Sequence, residues 1–396
     1  MDFDNPVAQE FADVMQAEQL VDLQKLKDLA RRGVPSEFRG EVWMYLLGVL
    51  AADTSNEESL IRERLAEYDS LNKSNQKLEQ TIRHECSRYY QRRLLAKMKP
   101  GKPKRPAVRT TEQPDREQAA AAELKRFTDK TESIICAYLN SKMVPHSQRA
   151  TVPQHTSPDQ QHAGNNHGWD AQSAPNSTPA SITTAAAAAA IMSPPSVSST
   201  LGTLPDAFIP TSTDARGQVL VVFPDVQPDF HPALVSLCAP FVECIPNETG
   251  MYFSFAKLMR MLEDYNSLYP LTERVSTFLT LFRITLPELH EYFEEEEVDI
   301  VGFATRWLQD LLSSEMRIGD VMRLWDVYFA QQEPLELHLY VCIAILMVLK
   351  DQLEELDHSE CRSMLNALPA LDVELIVNEA INIRLSQQQS FLDDDD

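Results

Sequence analysis

Apolar residues recur at three- and four-residue spacing through two stretches of the chain, 1–98 and 221–386, and such runs predict helices. In the second stretch they follow one another closely. Residues 233–244 are apolar on most sides. Residues 249–265 set Met251, Phe255, Leu258, Met259 and Leu262 on one face, and 271–283 do the same with Val275, Phe278, Leu279 and Phe282. Further runs lie at 300–312, 319–329, 335–350, 357–365 and 372–383. Pro270, Pro287, Pro334 and Pro369 fall between runs, where proline starts a helix or sits in a loop. Helix after helix with short connections predicts a stacked, all-α domain. Near the N-terminus, Phe11, Val14, Met15, Leu20, Leu23, Leu26 and Leu29 predict one helix over 2–29, packed on the domain or offered to a partner groove.

The text between the two stretches has a different character. A basic run over 92–109 carries eight Lys or Arg and no acid. It reads as a solvated linker, with a nuclear signal, a phospholipid contact or a tether as alternatives. A helical patch near 117–143 sets Leu124, Phe127, Ile134, Ile135, Tyr138 and Leu139 on one face. Residues 144–203 are Pro, Ser, Thr, Gln, His and Ala, with six alanines at 185–190. Such text buries too little apolar surface to offset its chain entropy, which predicts disorder. The organisation expected is an N-terminal extension (1–24), a first domain part (25–98), an insertion (99–220), a second domain part (221–386) and an acidic tail (387–396).

Composition narrows the function. The net charge of −23 repels nucleic-acid phosphates, so no nucleic-acid partner is expected. The six cysteines show no CxxC spacing, and His155, His162 and His167 lie in the low-complexity text, so no metal site is expected. The cysteines read as free core residues in a reducing compartment. Residues 1–14 lack the basic-then-apolar order of a signal peptide. The most apolar stretch, 335–349, is too short to span a bilayer. The acid runs 294–297 and 393–396 read as a solvated loop and tail.

Two separated blocks carry a resemblance to a known family. The first, RRGVPSEFRGEVWMYLLG at 31–48, contains Gly33, Val34, Pro35, Arg39, Gly40, Val42, Trp43, Leu46, Leu47 and Gly48. Read alone, it is a break at 33–35, a helix that Ser36 can cap, and a stripe of Trp43, Leu46 and Leu47. The second, FATRWLQDLLSSEMRIGDVMRLWDVYF at 303–329, contains Arg306, Trp307, Leu311, Asp320, Arg323, Leu324, Trp325 and Asp326. Arg323 and Asp326 stand at i and i+3, where they can pair. In this order the blocks resemble the TBC domain of Rab GTPase-activating proteins. The resemblance covers roughly 25–98 and 221–386. It implies a stacked helical TBC fold interrupted by a long disordered insertion, with Arg39 structural and both tryptophans in the core.

The resemblance also implies a chemistry. An arginine inserted by an activating partner stabilises charge on the transferred phosphoryl oxygens, and a glutamine positions the attacking water. The family's arginine motif corresponds here to TIRHECSRYYQRR, with Ile82, Glu85 and Arg88 in its pattern and Glu85 in place of aspartate. Arg88 is the candidate finger, Glu85 its orienting group, and Arg83, Arg92 and Arg93 are nearby alternatives. The glutamine motif falls on Phe230-His231-Pro232, counted back from Ala239-Pro240-Phe241. Phe230 can replace the motif's tyrosine ring. Pro232 has neither a side-chain amide nor a backbone N–H, so that motif is degenerate, and Gln227 is the glutamine nearest to it. Two readings follow: an activator of a Rab-type small GTPase in vesicle trafficking, or a catalytically inactive scaffold on the same fold. Either implies no cofactor of the chain's own, with GTP and Mg bound by the partner. Both imply a cytoplasmic protein, with peripheral attachment to endomembranes through the partner or the 92–109 run.

Overall fold

The computed structural model describes residues 6–16, 19–53, 55, 57–97, 113–143, 211–213, 219–221 and 230–393. The chain divides into two units, one formed by 1–145 together with 227–396, the other by 146–226. The expected disorder of 144–203, with its alanine run and histidines, lies outside the described residues. So do Gln227, most of the basic run and residues 394–396.

The described residues of the first unit form helices joined by short connections, with one isolated β-bridge between Leu20 and Asp53. Its first half contains α1 (Pro6–Met15), α2 (Leu23–Arg31), α3 (Ser36–Leu46), α4 (Glu57–Ser70), α5 (Gln76–Lys97) and α6 (Gln113–Met143). After the second unit come α7 (Ala233–Cys244), α8 (Glu248–Leu268), α9 (Leu271–Thr285), α10 (Pro287–Glu295) and α11 (Ile300–Asp310). The last four are α12 (Ile318–Ala330), α13 (His338–Leu353), α14 (His358–Asn366) and α15 (Val373–Asp393). Several starts are chemically marked. Asn247 and Asp299 accept the amides of Gly250 and Gly302, and Asp357 forms a reciprocal capping box with Glu360. No described helix is long and apolar enough to cross a membrane.

Three expectations change. The single helix expected over 2–29 breaks between α1 and α2, where Val21 donates to the Ala52 carbonyl and Asp22 caps α2. The helical patch of the insertion belongs to the body: Phe127, Ile134, Ile135, Tyr138 and Leu139 are buried in one continuous core with residues of α3 and of α7 to α15. The run read as a solvated acid loop is half helix, because Leu289 and Phe293 bury one face of α10 while its glutamates stay outside. The second unit's described residues are two paired antiparallel strands, β1 (Thr211–Thr213) and β2 (Val219–Val221), in which Thr211, Thr213, Val219 and Val221 are β-branched.

Trp43, Phe241, Trp325 and Phe329 join α3, α7 and α12, with Trp43 centred 5.6, 6.1 and 5.1 Å from the other three rings. Five of the six free cysteines are buried. His338 is buried between the Tyr328 hydroxyl (2.7 Å) and the Trp307 carbonyl (2.8 Å), and burial lowers its pKa to about 4.

Candidate functional site

The motif residues of the two blocks meet at one carboxylate. Asp326 is fully buried and accepts from Trp43 Nε1 (2.8 Å), the Val34 amide (3.0 Å), and Nε and Nη2 of Arg39 (3.1 Å each). Arg39 also donates to the Val34 carbonyl at 2.6 Å. Burial pushes the Asp326 carboxyl above its ordinary range, and the Arg39 charge with the donated bonds pulls it back. Every partner is a donor, so the group is held as a carboxylate. The pairing expected between Arg323 and Asp326 does not occur. Arg323 turns away to the Arg31 carbonyl (3.2 Å) and fills the space over Gly33, where a Cβ would lie 2.8 Å from its Nε. Gly33 also has φ +105°, a conformation that favours glycine. The expected Ser36 cap is absent too: α3 starts on the Pro35 carbonyl, and the Ser36 hydroxyl faces Glu37.

Pro35 caps the start of α3, and Gly40 sets its approach to α7. A Cβ on Gly40 would lie 2.3 Å from the Cys244 carbonyl, so only glycine lets α3 reach the end of α7. Trp307 donates to the Leu365 carbonyl (3.0 Å), and Arg306 reaches Asn366 Oδ1 (2.7 Å). Trp325 is fully buried. These residues hold the frame.

The candidate chemistry lies on α5. Ile82 and Cys86 face the core, which turns the arginines of the next turns outward. Glu85 is buried and serves two of them: Arg88 Nη1 meets Oε2 at 3.0 Å, and Arg92 Nη2 meets Oε1 at 3.5 Å. The Arg88 side chain remains 60% exposed and that of Arg92 48%. Arg83 is tied to Glu132, and Arg93 is buried against Glu243. Arg88 and Arg92, like Arg83, whose side chain is 57% exposed on Glu132, are held by a carboxylate and open in front, and only Arg93 of this helix is closed off.

The 230–232 segment sits at the start of α7, which packs on α5. Phe230 rests on the core, while His231 and Pro232 are exposed. Pro232 begins the helix with φ −54°, and its carbonyl accepts from Val235. Behind lies a cluster that the sequence reading passed over. Asp310 and Glu315 are buried in the turn after α11, where Leu311 and Leu312 have φ of 51° and 60°. Asp310 Oδ1 and Glu315 Oε2 have no hydrogen-bond partner. Burial raises both carboxyls, Glu315 to about 8 with help from the Asp310 charge. A Ser314 bond and the charges of His231, Arg306 and Arg92 oppose the rise at Asp310. The available signal was spacing: Phe303, Trp307 and Asp310 lie on one face of α11, so the acid had to be buried with the rings. No group of three or more His, Cys, Asp or Glu among the described residues could hold a metal.

Residues 218–354 match the family model described as Rab-GTPase-TBC domain. GTPase-activating protein gyp1 of Schizosaccharomyces pombe is 30% identical over 142 residues, 34% of this chain and 28% of that protein. TBC1 domain family member 13 of Homo sapiens is 30% identical over 146 residues, 35% of this chain and 36% of that protein. The chain thus matches about a third of the length of these curated relatives. Its fold is similar to the crystal structure of the Ypt/Rab-GAP domain of Gyp1p, with a TM-score of 0.51 at 17% identity, covering 96% of this chain and 100% of that one. The family-model segment contains the RLWD block but not α5. The arginine helix is joined to it by the shared core.

Proposed function

We propose that this chain, which belongs to the TBC family of Rab-GAP proteins, binds a Rab-type small GTPase and accelerates its GTP hydrolysis with Arg88. The observation that carries this reading is the Arg88–Glu85 pair: an exposed guanidinium oriented by a buried carboxylate on the helix that holds the arginine motif. Such a group loses little side-chain freedom on insertion beside a nucleotide, and an arginine supplied in this way is worth roughly 10³–10⁵ in rate. Glu85 fills the aspartate's role with a longer side chain that still reaches Arg88. GTP and Mg belong to the partner. Phe230 keeps an apolar ring at the start of α7, and Pro232 leaves water positioning to the GTPase. The site would act on a membrane-attached partner in vesicle trafficking, with the chain cytoplasmic and peripheral through that partner or the 92–109 run.

Pro232 favours a second reading, a TBC-fold scaffold that binds a GTPase without catalysis. A binding and single-turnover hydrolysis screen over a panel of Rab proteins separates them. Faster hydrolysis by at least one GTP-loaded Rab supports the activator. Binding with unchanged hydrolysis across the panel establishes the scaffold in its place.

A further inference from the structure

One guanidinium leaves part of the charge on a transferred phosphoryl group unmatched. Preorganised donors aimed at those oxygens are a large source of catalysis, and Pro232 adds none. Its neighbour can. His231 is exposed, and its Nδ1 accepts the Ala233 amide at 3.2 Å where α7 begins. A ring nitrogen that accepts carries no proton, so in the neutral ring the proton sits on Nε2. One backbone bond therefore fixes the orientation of the imidazole and its tautomer together. The N–H it leaves available is on the side of the ring away from that amide.

The surroundings suit an anion. The positive end of the α7 dipole lies at His231, and α7 is 12 residues long. Arg92 shares the Glu85 carboxylate with Arg88, and their helix α5 packs against α7. The exposed arginine pair on α5 and the exposed imidazole at the start of α7 thus belong to two helices in contact.

We propose that His231 is the second donor of this site: its Nε2–H bonds an oxygen of the γ-phosphoryl group of the partner's GTP, alongside Arg88. This inference rests on the activator reading above. In the step, the water oxygen forms a bond to the γ-phosphorus as the bond from that phosphorus to the β–γ bridging oxygen breaks. The electron pair leaves with GDP, and the water's proton passes to the phosphate product. His231 neither gives nor takes a proton. Because it presents a donor and no acceptor, it cannot hold the water's proton, and orienting the water falls to a glutamine of the GTPase.

The test compares the full chain with His231→Ala and His231→Gln in single-turnover hydrolysis by a GTPase that responds to the wild-type protein. His231→Ala is expected to lower the saturated rate at least about tenfold while changing the half-saturating concentration by less than about threefold. His231→Gln, whose amide restores a donor, is expected to recover half or more of the rate, at roughly the same scale. Far-UV circular dichroism and melting should be unchanged in both, since the side chain is exposed. Wild-type acceleration with an Ala variant equal to it overturns this inference alone, as does a Gln variant no better than Ala. No acceleration by the wild-type protein with any GTPase overturns the activator reading and this one with it.

Discussion

Replacing Asp326 by Asn should destabilise the first unit by about 4 kcal/mol. The substitution keeps the shape and removes the charge. Oδ1 now accepts Trp43 and Arg39 Nε, while Oδ2 accepts the Val34 amide and Arg39 Nη2. An amide has one oxygen, so its nitrogen must face donors on the other side. One of these pairs is lost, each bond to a charged group being worth about 1.5–3 kcal/mol, and Arg39 is left half-buried without its counter-charge. Breaking a buried pair costs about 3–5 kcal/mol by the same logic. Urea denaturation followed by tryptophan fluorescence reads the loss directly. Arg39→Met should cost a similar amount, and the double variant far less than the sum, with a coupling of about 2 kcal/mol. A loss under about 1 kcal/mol, or additive costs, would refute the idea that this carboxylate ties the two blocks together.

Two further perturbations read the frame and the buried acids. Gly40→Ala improves helix propensity by about 1 kcal/mol on its own, yet should lower the melting temperature, because the new Cβ meets the Cys244 carbonyl and overpacking costs about 1–3 kcal/mol. A rise in melting temperature would contradict the close approach of α3 and α7. Glu315 has its pKa raised from 4.5 to about 8, so the folded state binds the extra proton. Stability is fully present below pH 4.5, falls as pH rises to about 8 and is level above it, a span on the order of 4 kcal/mol. Glu315→Gln should flatten that decline between pH 5 and 8 in roughly this measure, and parallel curves for the two proteins would sink the assignment.

Most helices after residue 230 were legible because they bury apolar faces, and α7 and α9 begin where the pattern places them, whereas the short α10, with its glutamates, was not. The function of α6 was not. Its first turns are alanine- and charge-rich and adjoin a basic run, so composition assigned the whole helix to an excursion, although Phe127 and residues 134–139 pack in the main core. Local spacing also misled at Arg323. An i, i+3 neighbour was available to Asp326, but the better partner came from a helix almost three hundred residues away, as Arg39 offers two N–H groups to it in a buried site. The arginine helix was found by motif. That Glu85 grips Arg88 and Arg92 together, and that His231 has a fixed tautomer, could be read only from the packed chain.

The most direct test of the account is GTP hydrolysis by a responding Rab at saturating concentrations of wild-type protein and of Arg88→Ala, with binding measured in parallel. The account predicts a rate lowered by at least about a hundredfold, with complex formation retained. Equal rates for the two proteins at equal occupancy would contradict it.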